Sequence, residues 1–265
     1  MAISGFVVRL HGWRAAFFVP PAFLLAMTAI FAVMGRGSPK DAGYQPEWED
    51  VEEPELPTKK IGLADYLTAL TDPRMNLAYL AGAGEKLVRI GILTWLVIIL
   101  KRPVETGGFG LTIAQSTMIA SLAFWGAVIL SVVFGLMCDR VFGGQYWQTM
   151  MIGFLAGAVG LACLTQIDFI LNSPYKMTLI STAIFVSGGA IQALETPLYL
   201  LPGKILGRER GATGVGIMNG YMYIGASLSC YFLGWWLDHF TISSMLLFLA
   251  GVCVLSSLVT VVIRR

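Results

Sequence analysis

The chain has 265 residues, of which 56% are hydrophobic and 13% charged, with 18 Lys and Arg set against 16 Asp and Glu. Soluble domains usually carry about 25% charged residues, so this composition excludes a chain that faces water over most of its surface. A net charge of +2, with no basic patch interleaved with aromatics, gives no hold for nucleic acid. Cys138, Cys163, Cys230 and Cys253 form no Cys-x-x-Cys pair, and His11 and His239 stand far apart, so no metal centre, cofactor or disulfide framework is expected.

The opening MAISGFVVRLHGWR is too short to span a bilayer and has no signal-peptide form, so it reads as a chain joined in mid-protein. Seven stretches are long and apolar enough to cross a bilayer: 13–35, 76–100, 114–137, 146–166, 177–201, 211–236 and 243–263. A polar segment, 36–74, separates the first from the other six, and its acidic, proline-bearing run 46–57 reads as a solvated linker. Within it, LADYLTALTD (63–72) has apolar residues at helical spacing and predicts a short surface helix ending near Pro73. The loops that follow are short, which predicts antiparallel neighbours.

Lys and Arg near the span ends sort unequally. Arg36, Lys40, Lys59, Lys60, Arg74, Arg140, Lys204, Arg208, Arg210, Arg264 and Arg265 fall on the linker side, against Arg9, Arg14, Lys101, Arg102 and Lys176 on the other. The bias predicts a cytoplasmic linker and C-terminus. Seven spans then leave the N-terminus outside, which predicts further segments ahead of Met1. Gly153, Gly157 and Gly160, and likewise Gly211, Gly216, Gly220 and Gly225, predict close helix contacts.

Charges inside spans are the sharpest functional signal, since a mid-bilayer Arg or Lys costs about 2.5–3.5 kcal/mol on insertion scales. Glu85, Lys86 and Arg89 share one flank of the span 76–100, with Arg89 near the midplane. Two readings stand side by side: an anion site in which Arg89 offers its planar fork of donors, or a structural Glu85–Arg89 pair. Lys86 is surplus to that pair and tilts toward the anion. Gln192 and Glu195 lie in a span that also holds Pro197 and Pro202. Glu195 is a candidate for a coupling proton or for pairing with a basic residue. Asp139 and Arg140, in GLMCDRVFGGQ (135–145), sit at a tight turn suited to a gate, where they are expected to cap a helix and pair with basic residues opposite. No catalytic motif is present in the sequence, so no enzyme is expected.

GWRAAFFVPPAFLLAM, GRGSPKDAGYQP, LVRIGILTW, FGLMCDRVFGG and TGVGIMNGYMYIGAS, in this order, resemble the major facilitator superfamily and, within it, the organophosphate:phosphate antiporter family. The resemblance spans essentially the whole chain. It implies an all-α membrane fold in which 1–35 end the N-terminal bundle, 36–75 form the central cytoplasmic loop and 76–265 form the six-helix C-terminal bundle. It implies a secondary transporter that moves a small anionic solute by alternating access in a bacterial-type inner membrane. Its missing first half would come from preceding helices or a second chain. By the same resemblance Arg89 is one of two basic residues that clamp a substrate phosphate, with Lys86, Glu85, Trp95 and Tyr223 around it. Glu195, Gln192, Asp139 and Arg140 then serve coupling or gating. Two departures leave the solute open between an organophosphate and another anion: LVIIL follows Trp95 where the family tends to Pro and Tyr, and SLAFWGAV carries no charge. A membrane sensor or accessory subunit on the same fold is the alternative function.

Overall fold

A computed structural model describes residues 12, 14–36, 43 and 62–263. The acidic run 46–57, His11 and the terminal Arg264 and Arg265 lie outside the described residues. The chain divides into two units, 1–59 and 60–265.

The first unit holds α1, Ala15–Met34, twenty residues without a charge. At 1.5 Å per residue such a helix is about 30 Å long, the thickness of bilayer hydrocarbon. Pro20 and Pro21 fall in its second turn.

The second unit opens with α2, Leu63–Thr71, whose Asp65 accepts a hydrogen bond from the Gly62 backbone N–H at 3.0 Å. Asp72 then caps α3, Pro73–Lys101, by accepting from Arg74 N and Met75 N at 2.9 Å each. Proline suits this first helical position because its missing N–H would have had no partner there. The surface helix expected at 63–72 is therefore present, and the span that follows begins three residues earlier than expected. A capping box of Thr112 and Gln115 starts α4, Ile113–Leu136, which runs through a π turn, Met137–Val141, toward α5, Tyr146–Leu164. A short α6, Ile167–Asn172, leads into α7, Lys176–Ala193, α8, Glu195–His239, and α9, Ile242–Ile263.

Two interruptions shape α7 and α8. Pro197 has no N–H to give Ala193 and its ring crowds that carbonyl, so the helix breaks at Leu194 between α7 and α8. A second break falls at Gly207 (φ 79°, ψ 173°), a backbone state that suits glycine. It divides α8 into a proximal arm, 195–206, and a distal arm, 208–239. The expected span 177–201 is thus α7 plus the proximal arm, and the expected 211–236 is the distal arm.

Among the described residues five helical stretches are long and apolar enough to cross a membrane: Phe17–Met34, Ile113–Val141, Tyr146–Leu164, Lys176–Gly207 and Ile242–Ile263. The two long stretches outside that set, α3 and the distal arm, pack extensively on each other and carry Glu85, Lys86, Arg89 and Asn219.

Cross-contacts sort the helix ends. Arg210 Nε meets Asp65 Oδ1 at 2.8 Å and Lys204 Nζ donates to Gly144 O at 2.5 Å at one end. At the other, Arg102 donates to Leu237 O at 3.3 Å and Ser243 to Thr165 O at 3.2 Å.

The glycine sets behave differently. A Cβ on Gly157 would fall 2.5 Å from Ile191 Cδ1, one on Gly160 2.8 Å from Ala183 O, and one on Gly189 2.6 Å from the Gly126 backbone carbon. Gly225 lies against the Ala83 backbone, whereas Gly216 and Gly220 face open space. The first Gly-x-x-x-Gly is a packing seam. The second leaves an open groove bordered by Gly220, Tyr223, Ser227 and Tyr231.

Two substitutions separate these roles. Gly189→Val should lower thermal stability in detergent by about 1–3 kcal/mol through overpacking. Gly216→Ala should leave stability unchanged or raise it by up to about 1 kcal/mol through helix propensity. Parallel thermal melts check both, and an intact Gly189→Val would contradict the α4–α7 contact.

Candidate functional site

The break at Leu194 places Glu195 at the first position of the proximal arm, facing α3. Its carboxylate lies between two cations. Lys86 Nζ donates to Glu195 Oε1 at 2.5 Å, and Arg89 Nη1 donates to Glu195 Oε2. Lys86 and Arg89 are three residues apart, so α3 presents both to the same spot. Their side chains are 10% and 20% exposed and that of Glu195 31%. The cluster therefore has one accessible edge, formed by Glu195 and Arg89.

Glu85 occupies the inner side. It is fully buried, and its Oε1 lies 3.8 Å from Arg89 Nη1, beyond hydrogen-bond length. Neither of its oxygens has a hydrogen-bond partner among the described residues. The expected Glu85–Arg89 pair is thus a secondary contact, because the bonded acceptor for Arg89 is Glu195, on another helix. Lys86, surplus in sequence, is the second arm of the same clasp.

Around the accessible edge, Tyr199 donates its hydroxyl to Asn219 Oδ1 at 2.8 Å, joining the proximal and distal arms. Tyr199 is within electrostatic reach of Glu195 and Glu85. Neither Tyr199 nor Asn219 was singled out by sequence reasoning. Their signal is the periodicity around Glu195, since Tyr199 is one helical turn beyond it. Tyr223 stands one turn beyond Asn219, exposed, on the border of the open groove.

The remaining sequence candidates fall elsewhere. Gln192 donates through Nε2 to Ala123 O at 3.2 Å, tying α7 to α4 beside the break. Trp95 lies six residues beyond Arg89, about 9 Å along the helix axis. It packs over Gly234, with its Nε1 buried and unpartnered among the described residues. Asp139 and Arg140 are exposed in the π turn and make no ion pair among the described residues. The expected basic partner of Asp139 is not found among the described residues, which leave out the side chain of Arg208. The basic residue that reaches this region, Lys204, bonds the Gly144 carbonyl and lies 3.9 Å over the Tyr146 ring.

No group of His, Cys, Asp and Glu among the described residues could hold a metal ion. What the cluster offers is a lysine ammonium and an arginine fork converging on a carboxylate inside an apolar bundle. Here the charge-assisted hydrogen bonds of both cations are made to the carboxylate of Glu195.

Comparison with known proteins agrees with this architecture. The family profile described as Major Facilitator Superfamily matches residues 90–265. A curated protein of Agrobacterium vitis named "Putative tartrate transporter" is 27% identical over 280 aligned positions, covering 99% of this chain. The chain spans 60% of that relative's length. The superfamily is one of transporters rather than enzymes. With its all-α architecture and multiple apolar spans, the chain is an integral multi-pass membrane protein and belongs to the Major Facilitator Superfamily.

Proposed function

We propose that the chain is part of a secondary transporter for a small carboxylate anion, and that Lys86 and Arg89 are the substrate-binding pair of this half. The observation that carries it is the Glu195 carboxylate held by both cations at once. A pair of side chains already arranged around one carboxylate is arranged for another. The name of the A. vitis relative supports a dicarboxylate such as tartrate, whose hydroxyls suit the Tyr199–Asn219 pair at the accessible edge. Exchange of an organophosphate for phosphate, suggested by the resemblance around LVRIGILTW, is the narrower second reading. It uses the same two cations.

In this reading residues 76–265 form the C-terminal bundle and 1–35 the last helix of the N-terminal one. The solute binds between two such bundles, as in transporters with midplane sites. The other bundle comes from further helices of the protein or from a second chain. The linker side, which carries the larger share of Lys and Arg, faces the cytoplasm.

Glu195 acts as an internal competitor, occupying the clasp until a substrate carboxylate takes its place. Gln192 braces the break, and Tyr223 stands on the border of the open groove.

Two outcomes test this. Arg89→Ala, in the complete transporter reconstituted in vesicles, should cost about 2 kcal/mol or more of anion binding, roughly a thirtyfold loss, with uptake abolished. Arg89→Lys should not restore it, because a point charge does not replace the planar fork. Undiminished tartrate and glycerol-phosphate uptake by Arg89→Ala would refute the site. Glu195→Gln should do the opposite to affinity, tightening tartrate binding by about tenfold or more, equal to about 1.4 kcal/mol. It should also lower the melting temperature of the unliganded protein. Calorimetric titration reads the first effect and a thermal melt the second; weaker binding in Glu195→Gln would show that Glu195 assists the anion.

A further inference from the structure

Gly160 of α5 meets the Ala183 carbonyl and Ser187 of α7 with no room for a Cβ. Beside that contact, toward α6, lies a cavity of about 360 Å³, none of whose lining residues belongs to the clasp. Val159 and Cys163 line it from α5, Phe169 from α6, and Leu179, Thr182 and Val186 from α7. Gln166, Thr182 and the Cys163 thiol are its polar side chains, too few to hold ordered water across such a space. Val159 and Phe169 are 62% and 71% exposed, so the mouth opens outward through apolar side chains. In a membrane protein an apolar opening of this kind meets lipid chains.

Depth and charge say which part of a lipid fits. Ser243 bonds Thr165 O at the end of the bundle away from the linker, and α6 follows directly at that end. α7 starts there at Lys176, which is exposed and follows the exposed Tyr175. Tyrosine and lysine at a helix end mark the level of the lipid headgroups. No carboxylate among the described residues pairs with Lys176, and Asp168 on α6 is exposed and outside the lining. Lys176, Leu179, Thr182 and Val186 follow one another at helical spacing, so they form one stripe down α7. From Lys176 to Val186 that stripe runs about 15 Å at the helical rise, half of the roughly 30 Å of bilayer hydrocarbon. The cavity is therefore as deep as one leaflet, with a cation at its headgroup end and apolar walls below.

We propose that this cavity binds one acyl chain of a glycerophospholipid from the leaflet opposite the linker, and that Lys176 takes its phosphate. A helix from a second copy or a partner would need a wider seat, since an α-helix with its side chains is about 10 Å across. Here the two walls already touch at Gly160. The bound chain braces α7 against α5, and α7 ends at the break that positions Glu195. The lipid site stands whether or not the clasp takes a solute.

Two cysteines provide the test. Cys163 lines the cavity and Cys230, on the distal arm, does not, and both are exposed. Their rates of reaction with a maleimide are followed by mass spectrometry, on protein purified in mild detergent with any chain that copurifies. Phosphatidylglycerol at about ten times its half-saturating concentration should slow Cys163 roughly tenfold and leave Cys230 unchanged. Lys176→Ala should raise the concentration required by roughly fivefold, and diacylglycerol, which lacks the phosphate, should need a similar excess. Thr182→Trp, which fills the cavity, should lose the phospholipid that native mass spectrometry finds on the unaltered protein. Where that variant fails to fold, protection of Cys163 in the unaltered protein still decides. Equal slowing of both cysteines, or of neither, overturns the site. Protection of Cys163 that follows protein concentration rather than lipid overturns it in favour of an interface between copies. An unchanged concentration requirement in Lys176→Ala overturns the phosphate contact.

Discussion

The bundle depends on one arrangement: a carboxylate on one broken helix held by two cations on another, inside a body of apolar side chains. Lys86 and Arg89 on α3 would each be costly alone at that depth. Glu195 makes them tolerable, and it reaches them because Pro197 interrupts the helix one turn below. Sequence chemistry at a single proline thus decides where a charge lands, and the charge decides how α3 and α8 meet.

Around that arrangement the small residues divide the bundle into a tight part and an open part. Gly126, Gly160 and Gly189 bring backbones together, and Gly157 takes the Ile191 side chain, where side chains larger than hydrogen would clash. In a bilayer, where apolar helices gain little from leaving lipid, such close approach is the main source of helix association. Gly216 and Gly220 have no such neighbour. The distal arm therefore keeps a grooved face with exposed Tyr223 and Tyr231, on the same helix that carries Asn219 toward the site.

Most of the helical organisation was legible in the sequence because spans must be apolar over about 20 residues, and the charges of α3 stood out against that background. The surface helix was legible too, from its spacing and from Pro73. The partner of Arg89 was not. Helical spacing favours residues four apart, so Glu85 looked like the natural acceptor, while the bonded acceptor lies 106 positions away in sequence. Only the tertiary placement of the break at Leu194 brings it there. For Asp139 the turn motif fixes local backbone form but not what stands across from it. Tyr199 and Asn219 are ordinary polar residues in sequence; what distinguishes them is a contact between the two arms of α8. On the proposed function, the sequence reaches the solute only as far as a charge sign, since two cations accept carboxylate and phosphate alike.

The proximal arm of α8 is the element on which ligand binding can act mechanically. It is short, bounded by the break at Leu194 and the left-handed Gly207, and fixed at both ends by charge. Glu195 fixes one end to α3. Near the other, Lys204 is bonded to the Gly144 carbonyl, and just past Gly207 Arg210 is bonded to Asp65 of α2. Under the proposed function, a substrate carboxylate that displaces Glu195 would release the first end and leave the second in place. The arm is then free to turn about Gly207, with Tyr199 carrying the motion to Asn219 on the distal arm. On that reading, binding energy at the clasp would be exchanged for a change in helix placement, without any new contact between the solute and the hinge. That exchange requires the internal carboxylate and the substrate to be alternatives, because a solute that bound beside Glu195 would leave the arm where it is.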